Sequence, residues 1–469
     1  MSIDIDTESV FGRFKAKSRG EYPLGSAMHE RLLSCLPIDD AQRFVLHNEI
    51  HTRPSATFKL PALIVYVAVL NAGVSISDEC QHLRGLPGHE GLDLSQMKGN
   101  FLQLQSEQFK IIWERHTEFT RYTIVQALPA HAHWGSTLPD LATHVATGMA
   151  WLQGIPGKTI TAIHLAMLNE GMDDPDAIYK SKLWLGEGTV IGAKMGRTSD
   201  NNSHSHLITN LRIGADGFER ILVMAAPGTS ENRAGRIAQR LLELETYRMM
   251  SLLSLPVAKR LASKLATTEA QLVEITARLE THTVSDEVLL GDLASLAAQV
   301  ESTTAEHSYR FSAARAYDAI VKERISEMRE RPLSGIQTVG EFMQRRLAPA
   351  MATVNATSER LAALAQRVSR ASALLRTRVE IAAEAQNQQL LEKLTRGQAL
   401  QLRLQSTVEG LSIAAITYYV VSLCLYLGKA LKAAGLNINP EMLAGFSTPL
   451  VLLVCWRMIQ HIHRSLREL

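Results

Sequence analysis

The sequence predicts an α+β protein with three parts: an N-terminal mixed α/β domain, a long helical bundle or coiled-coil stalk, and a C-terminal two-helix transmembrane hairpin. Strand-like and helical segments alternate before residue 228. Strand patterns end there, and two uncharged apolar segments lie in the last fifth of the chain. The predicted domains are therefore residues 1–228, 229–408 and 409–469. A chain of 469 residues exceeds what one hydrophobic core usually supports, which agrees with several domains.

The first domain is predicted from short runs with strand character. Residues 63–70 form a β-branched apolar run, which is typical of a buried strand. Residues 206–213 and 218–225 predict a hairpin, because Asp216 and Gly217 supply the positive φ of a tight turn. By similar patterns we expect strands at 109–115, 119–126, 159–168 and 189–195, and helices at 78–84 and 138–152.

Long helices are predicted after Gly228, where alanine, leucine, glutamate and arginine dominate. Thr338 starts one of them, because Glu341 three residues later completes a capping box. The expected helices are 229–280 with a bend at Pro256, 286–331, and a third from Thr338 that Pro349 kinks and that continues into the first apolar segment.

The third helix carries a short coiled-coil seam at 3–4–3–4 spacing, formed by Leu361, Leu364, Val368, Ala371 and Leu375. Two interpretations stay open. The seam packs either inside a three-helix bundle of one subunit or against copies of the same chain in a stalk. A straight helix over residues 349–427 would measure about 120 Å, which favours a stalk rising from a membrane.

The two apolar segments predict the membrane hairpin. Residues 410–428 contain no ionisable acid or base, and a second apolar run covers 442–456. About 20 helical residues cross a hydrocarbon layer of about 30 Å. Tyr418, Tyr419, Tyr426 and Trp456 occupy positions typical of interfacial aromatic residues. The alternative is a pair of buried core helices in a soluble domain.

Basic residues set the expected orientation. Six of them flank the spans, Lys393, Arg396, Arg403, Arg457, Arg464 and Arg467, and two, Lys429 and Lys432, lie in the loop between them. Positive charge accumulates on the cytoplasmic side, so both termini are predicted to be cytoplasmic. The N-terminal residues lack an apolar core, and no secretory signal is expected.

Net charge, apolar segments and cysteine spacing indicate the expected partner and the redox compartment. A net charge of +2 gives no reason to expect nucleic acid, whereas the apolar segments predict a lipid bilayer as partner. The four cysteines, Cys35, Cys80, Cys424 and Cys455, have no paired spacing, which indicates thiols in a reducing compartment.

One polar cluster is the leading candidate site. His47, Glu49 and His51 would share a face of an extended segment, and Arg53 follows at once. The spacing allows a metal site, a structural polar network, or a site for an anionic ligand without metal. The sequence leaves open whether a metal binds to these residues, and no cofactor is predicted.

A second candidate is basic. Arg233, Arg236 and Arg240 lie near a predicted helix start, where guanidiniums and backbone N–H groups bind phosphate or acidic lipid headgroups. The alternative is a solvated face paired with Glu243 and Glu245. The histidine pairs at 131 and 133 and at 204 and 206 are expected to be ordinary surface or hydrogen-bonded residues. No catalytic motif occurs, so no catalytic residue is assigned and an enzyme is not expected.

Three longer stretches carry a family resemblance: Arg345-Arg-Leu-Ala-Pro-Ala-Met351, Ser369-Arg-Ala-Ser-Ala-Leu-Leu-Arg-Thr-Arg-Val-Glu380 and Leu402-Arg-Leu-Gln-Ser-Thr-Val-Glu-Gly-Leu-Ser-Ile-Ala-Ala-Ile-Thr-Tyr-Tyr419. With His47-Asn-Glu-Ile-His-Thr-Arg-Pro54 and Trp113-Glu-Arg-His-Thr-Glu-Phe119, they closely resemble an uncharacterised bacterial membrane-anchored family, number 3422 among the domains of unknown function. The resemblance implies the bacterial inner membrane and no activity.

The architecture is also similar to that of CorA-type magnesium channels. Those carry Gly-Met-Asn at the outer end of the first span, where this chain has Tyr426-Leu-Gly-Lys429. Our leading hypothesis is an oligomeric sensing or scaffolding protein. A homo-oligomer is expected, and the sequence indicates no other protein partner. The alternatives are a divergent CorA-like ion transporter, whose pore Ser412, Thr417 and Ser422 would line, and a metal-dependent enzyme.

Overall fold

The computed structural model describes residues 40–44, 46–47, 56–97, 99–170, 176–196, 204–281, 283–434 and 439–467. The chain divides into two compact units. The first contains Met1–Lys259 and Tyr309–Ala356, and the second contains Arg260–Ser308 and Thr357–Leu469. The first unit thus extends beyond residue 228 and includes parts of the long helices.

The first unit is built on one nine-stranded sheet with the order β2-β3-β4-β1-β5-β8-β7-β6-β9. Its pairs are antiparallel except for β5 with β8, which are parallel. The strands are β1 Ala62–Leu70, β2 Phe101–Gln105, β3 Phe109–Arg115, β4 Phe119–Ala127, β5 Lys158–Leu168, β6 Ile191–Met195, β7 Ser205–Ile213, β8 Glu219–Met224 and β9 Glu330–Pro332.

The helices are α1 Ile76–Arg84, α2 Met149–Gln153, α3 Ala177–Leu185, α4 Glu231–Leu252, α5 Ser254–Thr281, α6 Asp286–Met328, α7 Val339–Ala433 and α8 Pro440–Arg467. Alternate residues of a strand point to opposite faces of the sheet. Leu63 and Val65 of β1 therefore join a core that includes Leu83 of α1 and Trp184 of α3. Tyr66 points the other way and bonds to Thr246 of α4.

The predicted strands and the Asp216-Gly217 hairpin are confirmed, as is the Thr338–Glu341 capping box, whose two bonds measure 3.1 and 3.0 Å. The expected helix at 138–152 is wrong, because only Met149–Gln153 is helical. Leu138 and Gly148 both have positive φ, which interrupts a right-handed helix. Strands β2 and β9 and helix α3 were not anticipated.

The bend expected at Pro256 is instead a break at Leu253, which separates α4 from α5. Pro256 is the third residue of α5. A backbone N–H at this position has no carbonyl partner within an α-helix, so a proline there removes no hydrogen bond. The proline is therefore tolerated in a first turn rather than bending a longer helix.

In the second unit, parts of three helices pack around an apolar core. The seam residues Leu361, Leu364, Val368 and Leu375 of α7 are at most 3% exposed. Leucines of α5 and α6 are buried with them, and Arg360 bonds to Glu269 across the helices. This burial favours the first of the two interpretations, a bundle within one subunit.

The bundle ends before the apolar segments begin. From residue 380 to residue 408 every residue of α7 is exposed. Two helices, α7 and α8, are long and apolar enough to cross a membrane by length and composition, and only 6% of the most apolar window of each is buried. The side chains of these windows are therefore mostly exposed in one copy of the chain, unlike those of a buried core helix.

Gly235 on α4 allows the chain near Ala56 to cross the helix. A Cβ atom at this position would overlap the Ala56 carbonyl group. The close approach therefore requires a residue without a side chain.

We expect Gly235→Ala to destabilise the protein by about 1–3 kcal/mol, because the backbone at Ala56 must shift. Thermal unfolding followed by circular dichroism measures the effect. The matched control is Gly291→Ala in α6, where a Cβ meets open space, and it should be neutral or stabilising by up to about 1 kcal/mol. Equal effects of the two substitutions would contradict the close approach.

Candidate functional site: a buried charged layer on one face of the sheet

The leading polar candidate lies mostly outside the described residues. His47 lies in a helical turn, not an extended strand. Glu49, His51 and Arg53 are outside the described part of the chain, so their convergence stays a prediction. Among the residues that are described, no group of three or more His, Cys, Asp or Glu side chains is placed to hold a metal ion.

The three arginines at the start of α4 have different surroundings. Ser230 caps the helix by accepting from the Arg233 backbone N–H at 3.3 Å. Arg236 is exposed, whereas Arg240 pairs through Nε with Glu327 Oε2 at 3.1 Å. The expected partners Glu243 and Glu245 bond to other arginines instead.

The three hydroxyl residues expected to line a pore lie on the continuous helix α7. A spacing of five residues rotates a side chain by about 140° around an α-helix, so Ser412, Thr417 and Ser422 point in three directions. The Ser412 and Thr417 hydroxyls donate to their own helix at Val408 and Ile413, at 2.9 and 2.7 Å. One copy of the helix therefore offers no common polar face made of these residues.

Among the described residues of the first unit, a dense set of paired charges lies between the sheet and α4. We call Glu114, Arg121, Arg240, Glu243, Arg324 and Glu327 the charged layer. Arg121 of β4 pairs with its cross-strand neighbour Glu114 and places Nη1 3.3 Å from Glu243 Oε1. Glu243 of α4 also accepts from Arg324 of α6 at 2.7 Å.

The charged layer extends outward along α6. Arg324 Nη1 lies 2.9 Å from Glu327 Oε2, and the same carboxylate binds Arg240 of α4. The three carboxylates thus meet three guanidiniums, and the layer is internally neutral.

Charge pairing decides the protonation of the layer. Burial alone would raise the pKa of Glu243, but Arg121, a Gln239 bond and Arg324 hold that pKa below its ordinary value. Arg121 is 6% exposed, and Glu114 and its other neighbours raise its pKa despite burial. Both groups are therefore charged at neutral pH.

A small cavity of about 30 Å³ lies beside the charged layer. Tyr66, Glu114, Arg121 and Gln239 contribute its polar wall. This volume holds about one water molecule, whereas ligand pockets usually measure roughly 300–1,000 Å³. The cavity is large enough for about one water molecule beside the charged layer.

Two buried carboxylates on the same face share one arginine. Glu219 of β8 and Glu245 of α4 are 4% and 0% exposed. Arg248 Nη2 pairs with Glu245 and lies 3.3 Å from Glu219 Oε1. Burial and then the charge of Glu245 raise the pKa of Glu219 well above its ordinary value. One guanidinium balances one carboxylate, so the pair holds a proton at neutral pH.

The opposite face of the sheet carries a second buried ion pair. Glu79 of α1 is fully buried and accepts from Arg115 and from the Thr120 hydroxyl, each at 2.7 Å. Farther along this face, His164 is fully buried and stacks on Phe218 with ring centres 3.8 Å apart. Burial lowers the pKa of His164 to about 4, so its ring is neutral at pH 7.

The β3–β4 turn joins the sheet to α6. Glu118 accepts from Arg310 and, at 2.7 Å, from the Tyr317 hydroxyl. His116 stacks on Phe119 at 4.5 Å within the same turn. Together with Glu114 and Arg115, these contacts give nearly every member of the Trp113-Glu-Arg-His-Thr-Glu-Phe119 motif a structural partner.

The arrangement joins α4 and α6 to the sheet through paired charges, because each of its carboxylates bonds to an arginine. Sequence analysis named Arg240, Glu243 and Glu114 but did not predict that they belong to one layer. A signal existed for it, because Glu114, Arg121 and Glu219 are ionisable residues in strands that are mostly buried. Such positions are rarely charged unless the charge is paired.

We expect Glu243→Ala to lower the free energy of unfolding by about 3–5 kcal/mol, because it leaves Arg121 and Arg324 without a shared partner. Denaturant unfolding of the full chain, followed by tryptophan fluorescence, measures the loss. The control is Glu323→Ala, an exposed position on α6, with an expected change within about 0.5 kcal/mol. A loss no greater than that of the control would show that the layer does not hold α4 on the sheet.

A second prediction concerns pH and Glu219→Gln, which mimics the protonated carboxyl group. The pKa of Glu219 is higher in the folded state than in the unfolded state, where it is near 4.5. Its contribution to the free energy of unfolding is therefore complete below the unfolded-state pKa and is lost as the pH rises. The free energy of unfolding of the variant should therefore rise relative to that of the wild type between about pH 5 and about pH 9, by at most about 1.4 kcal/mol per pH unit. Thermal unfolding at several pH values measures the difference, and parallel profiles would contradict a shared proton.

Similarity to known proteins identifies the family of this chain. No curated protein matches the chain. A solved structure described as "structure of the full-length CmaX protein" shares 11% sequence identity and covers 65% of this chain and 89% of that chain, with a TM-score of 0.16. A family model described as a protein of unknown function, DUF3422, matches residues 39–466. Because that match spans most of the sequence, the chain belongs to the DUF3422 family.

Proposed function

We propose that this chain is anchored in the bacterial inner membrane and that its N-terminal domain acts in the cytoplasm as an oligomeric sensing or scaffolding module. One observation carries the proposal. Helix α7 starts at Val339 in the first unit and continues as one helix through the second unit to Ala433, through an apolar stretch long enough to cross a bilayer.

Exposure of apolar side chains supports the anchor. Leu411, Tyr418, Leu423, Phe446 and Leu450 of α7 and α8 are between 67% and 80% exposed. Leaving so many large apolar side chains in water is unfavourable, and a hydrocarbon layer would cover them. The two helices also approach each other, since a Cβ on Gly428 would lie 3.2 Å from Pro440 Cα. The pair therefore suits a hairpin.

A role without catalysis is supported by how the buried ionisable groups are used. In the first unit the carboxylates of the charged layer, Glu79 and Glu118 all bond to arginines that belong to other elements. These contacts position helices, which is what a scaffold or a ligand-responsive domain requires. An ion transporter would need a path other than one along Ser412, Thr417 and Ser422 of a single α7.

Reporter fusions test the proposed topology. A fusion after Leu469 should report the cytoplasm and one within 433–439 the outside, because six basic residues flank the spans and two lie in the loop. Alkaline carbonate should leave the full chain in the membrane fraction. A chain truncated after Glu409 is the control and should be released. An external C-terminus, or release of the full chain, would overturn the anchor.

A further inference from the structure

The stretch of α7 between the bundle and the apolar segment has no covering element among the described residues. Residues 380–408 are all exposed. Leu390, Leu394, Leu404 and Val408 are between 56% and 66% exposed, whereas the seam residues earlier on α7 are buried. A row of large apolar side chains on a helix in water indicates a missing partner.

Five apolar residues of this stretch lie at heptad positions, with Gly397 and Gln401 at the two remaining ones, whereas Leu391, Leu400 and Leu402 lie outside this register. The open seam, as we call it, consists of Leu390, Leu394, Gly397, Gln401, Leu404, Val408 and Leu411, at 4–3–4–3–4–3 spacing. This spacing places all members on one side of a helix, as in a coiled coil.

The charges of the same stretch lie away from the open seam. Glu392, Arg396, Arg403 and Glu409 fall at the outer heptad positions, and Arg396 pairs with Glu392 at 2.8 Å on that side. Lys393 alone flanks the seam. A helix that joins another along this seam therefore brings few like charges together.

A bilayer does not cover the whole open seam. Leu390 lies about 30 Å along the helix from Gly410, the first residue of the uncharged segment. The headgroup region extends only about 6 Å beyond the hydrocarbon on each side. Lipid therefore reaches Val408 and Leu411 but not Leu390 or Leu394.

We propose that residues 390–411 form a parallel coiled coil with the same segment of at least one further copy of this chain. The inference rests on the proposed anchor. Copies held by the same span present the open seam at the same height and in the same direction, so identical residues face each other. Gln401 then meets Gln401 of the second copy, and such a buried polar pair selects the parallel, in-register alignment.

Cysteine cross-linking in membranes tests the pairing. The full chain carries Cys35→Ser, Cys424→Ser and Cys455→Ser, and Cys80 is retained because it is buried. Single substitutions Gln401→Cys, Leu404→Cys and Val408→Cys on the open seam are compared with Arg403→Cys and Ser406→Cys on the outer side. Oxidation should give a band at twice the chain mass for the seam positions and little or none for the outer ones.

Charge and polarity variants give a second readout. Leu404→Lys should lose the oligomer in mild detergent, whereas Gln401→Leu should strengthen it. Equal cross-linking at seam and outer positions, or cross-links only to a protein of another mass, would overturn the pairing.

Carbonate extraction of the same membranes separates the two proposals. Retention of the chain without seam-specific cross-links would refute the pairing and leave the anchor standing. Release with seam-specific cross-links would refute the anchor and leave the pairing standing.

Discussion

The ion pairs of Arg121 join elements that are far apart in the sequence. Its guanidinium pairs with Glu114 on the neighbouring strand and with Glu243 on α4, and Glu243 in turn binds Arg324 on α6. A buried charge without a partner is costly, so displacement of either helix would leave a charge unmatched. The position of α4 over the sheet and that of α6 beside α4 are therefore coupled. We regard positional specificity, more than net stability, as the contribution of this layer.

The β3–β4 hairpin is the centre from which both faces of the sheet are organised. Consecutive residues of a strand point to opposite faces, so Glu114 serves the layer under α4 while Arg115 reaches Glu79 of α1. The turn itself adds Glu118, which binds Arg310 of α6. The charged residues of the Trp113–Phe119 motif thus join helices to both sides of one sheet.

The second unit uses its apolar residues in a different way. Its three-helix core ends near Leu375, and residues 380–408 of α7 are all exposed, whereas buried positions return at Thr417 and Gly428. Most of the stability of a protein helix comes from packing of its apolar face. A membrane around the last part and copies of the chain around the middle part would each supply this cover.

Local patterns in the sequence determined the strands at 63–70, 109–115 and 119–126, the Asp216-Gly217 turn, the capping box at Thr338 and the two apolar segments. These follow from side-chain alternation, backbone preference and hydropathy, which act over a few residues. The tertiary structure alone decided which side chains meet. Arg240 bonds to Glu327 rather than to its sequence neighbours, and the loop containing Leu138 stays non-helical. Long-range pairing also made β9 a strand. Its three residues pair with β6, which lies about 130 residues earlier in the chain. A short segment of this kind has no periodicity to read, and its conformation depends on the edge that it meets.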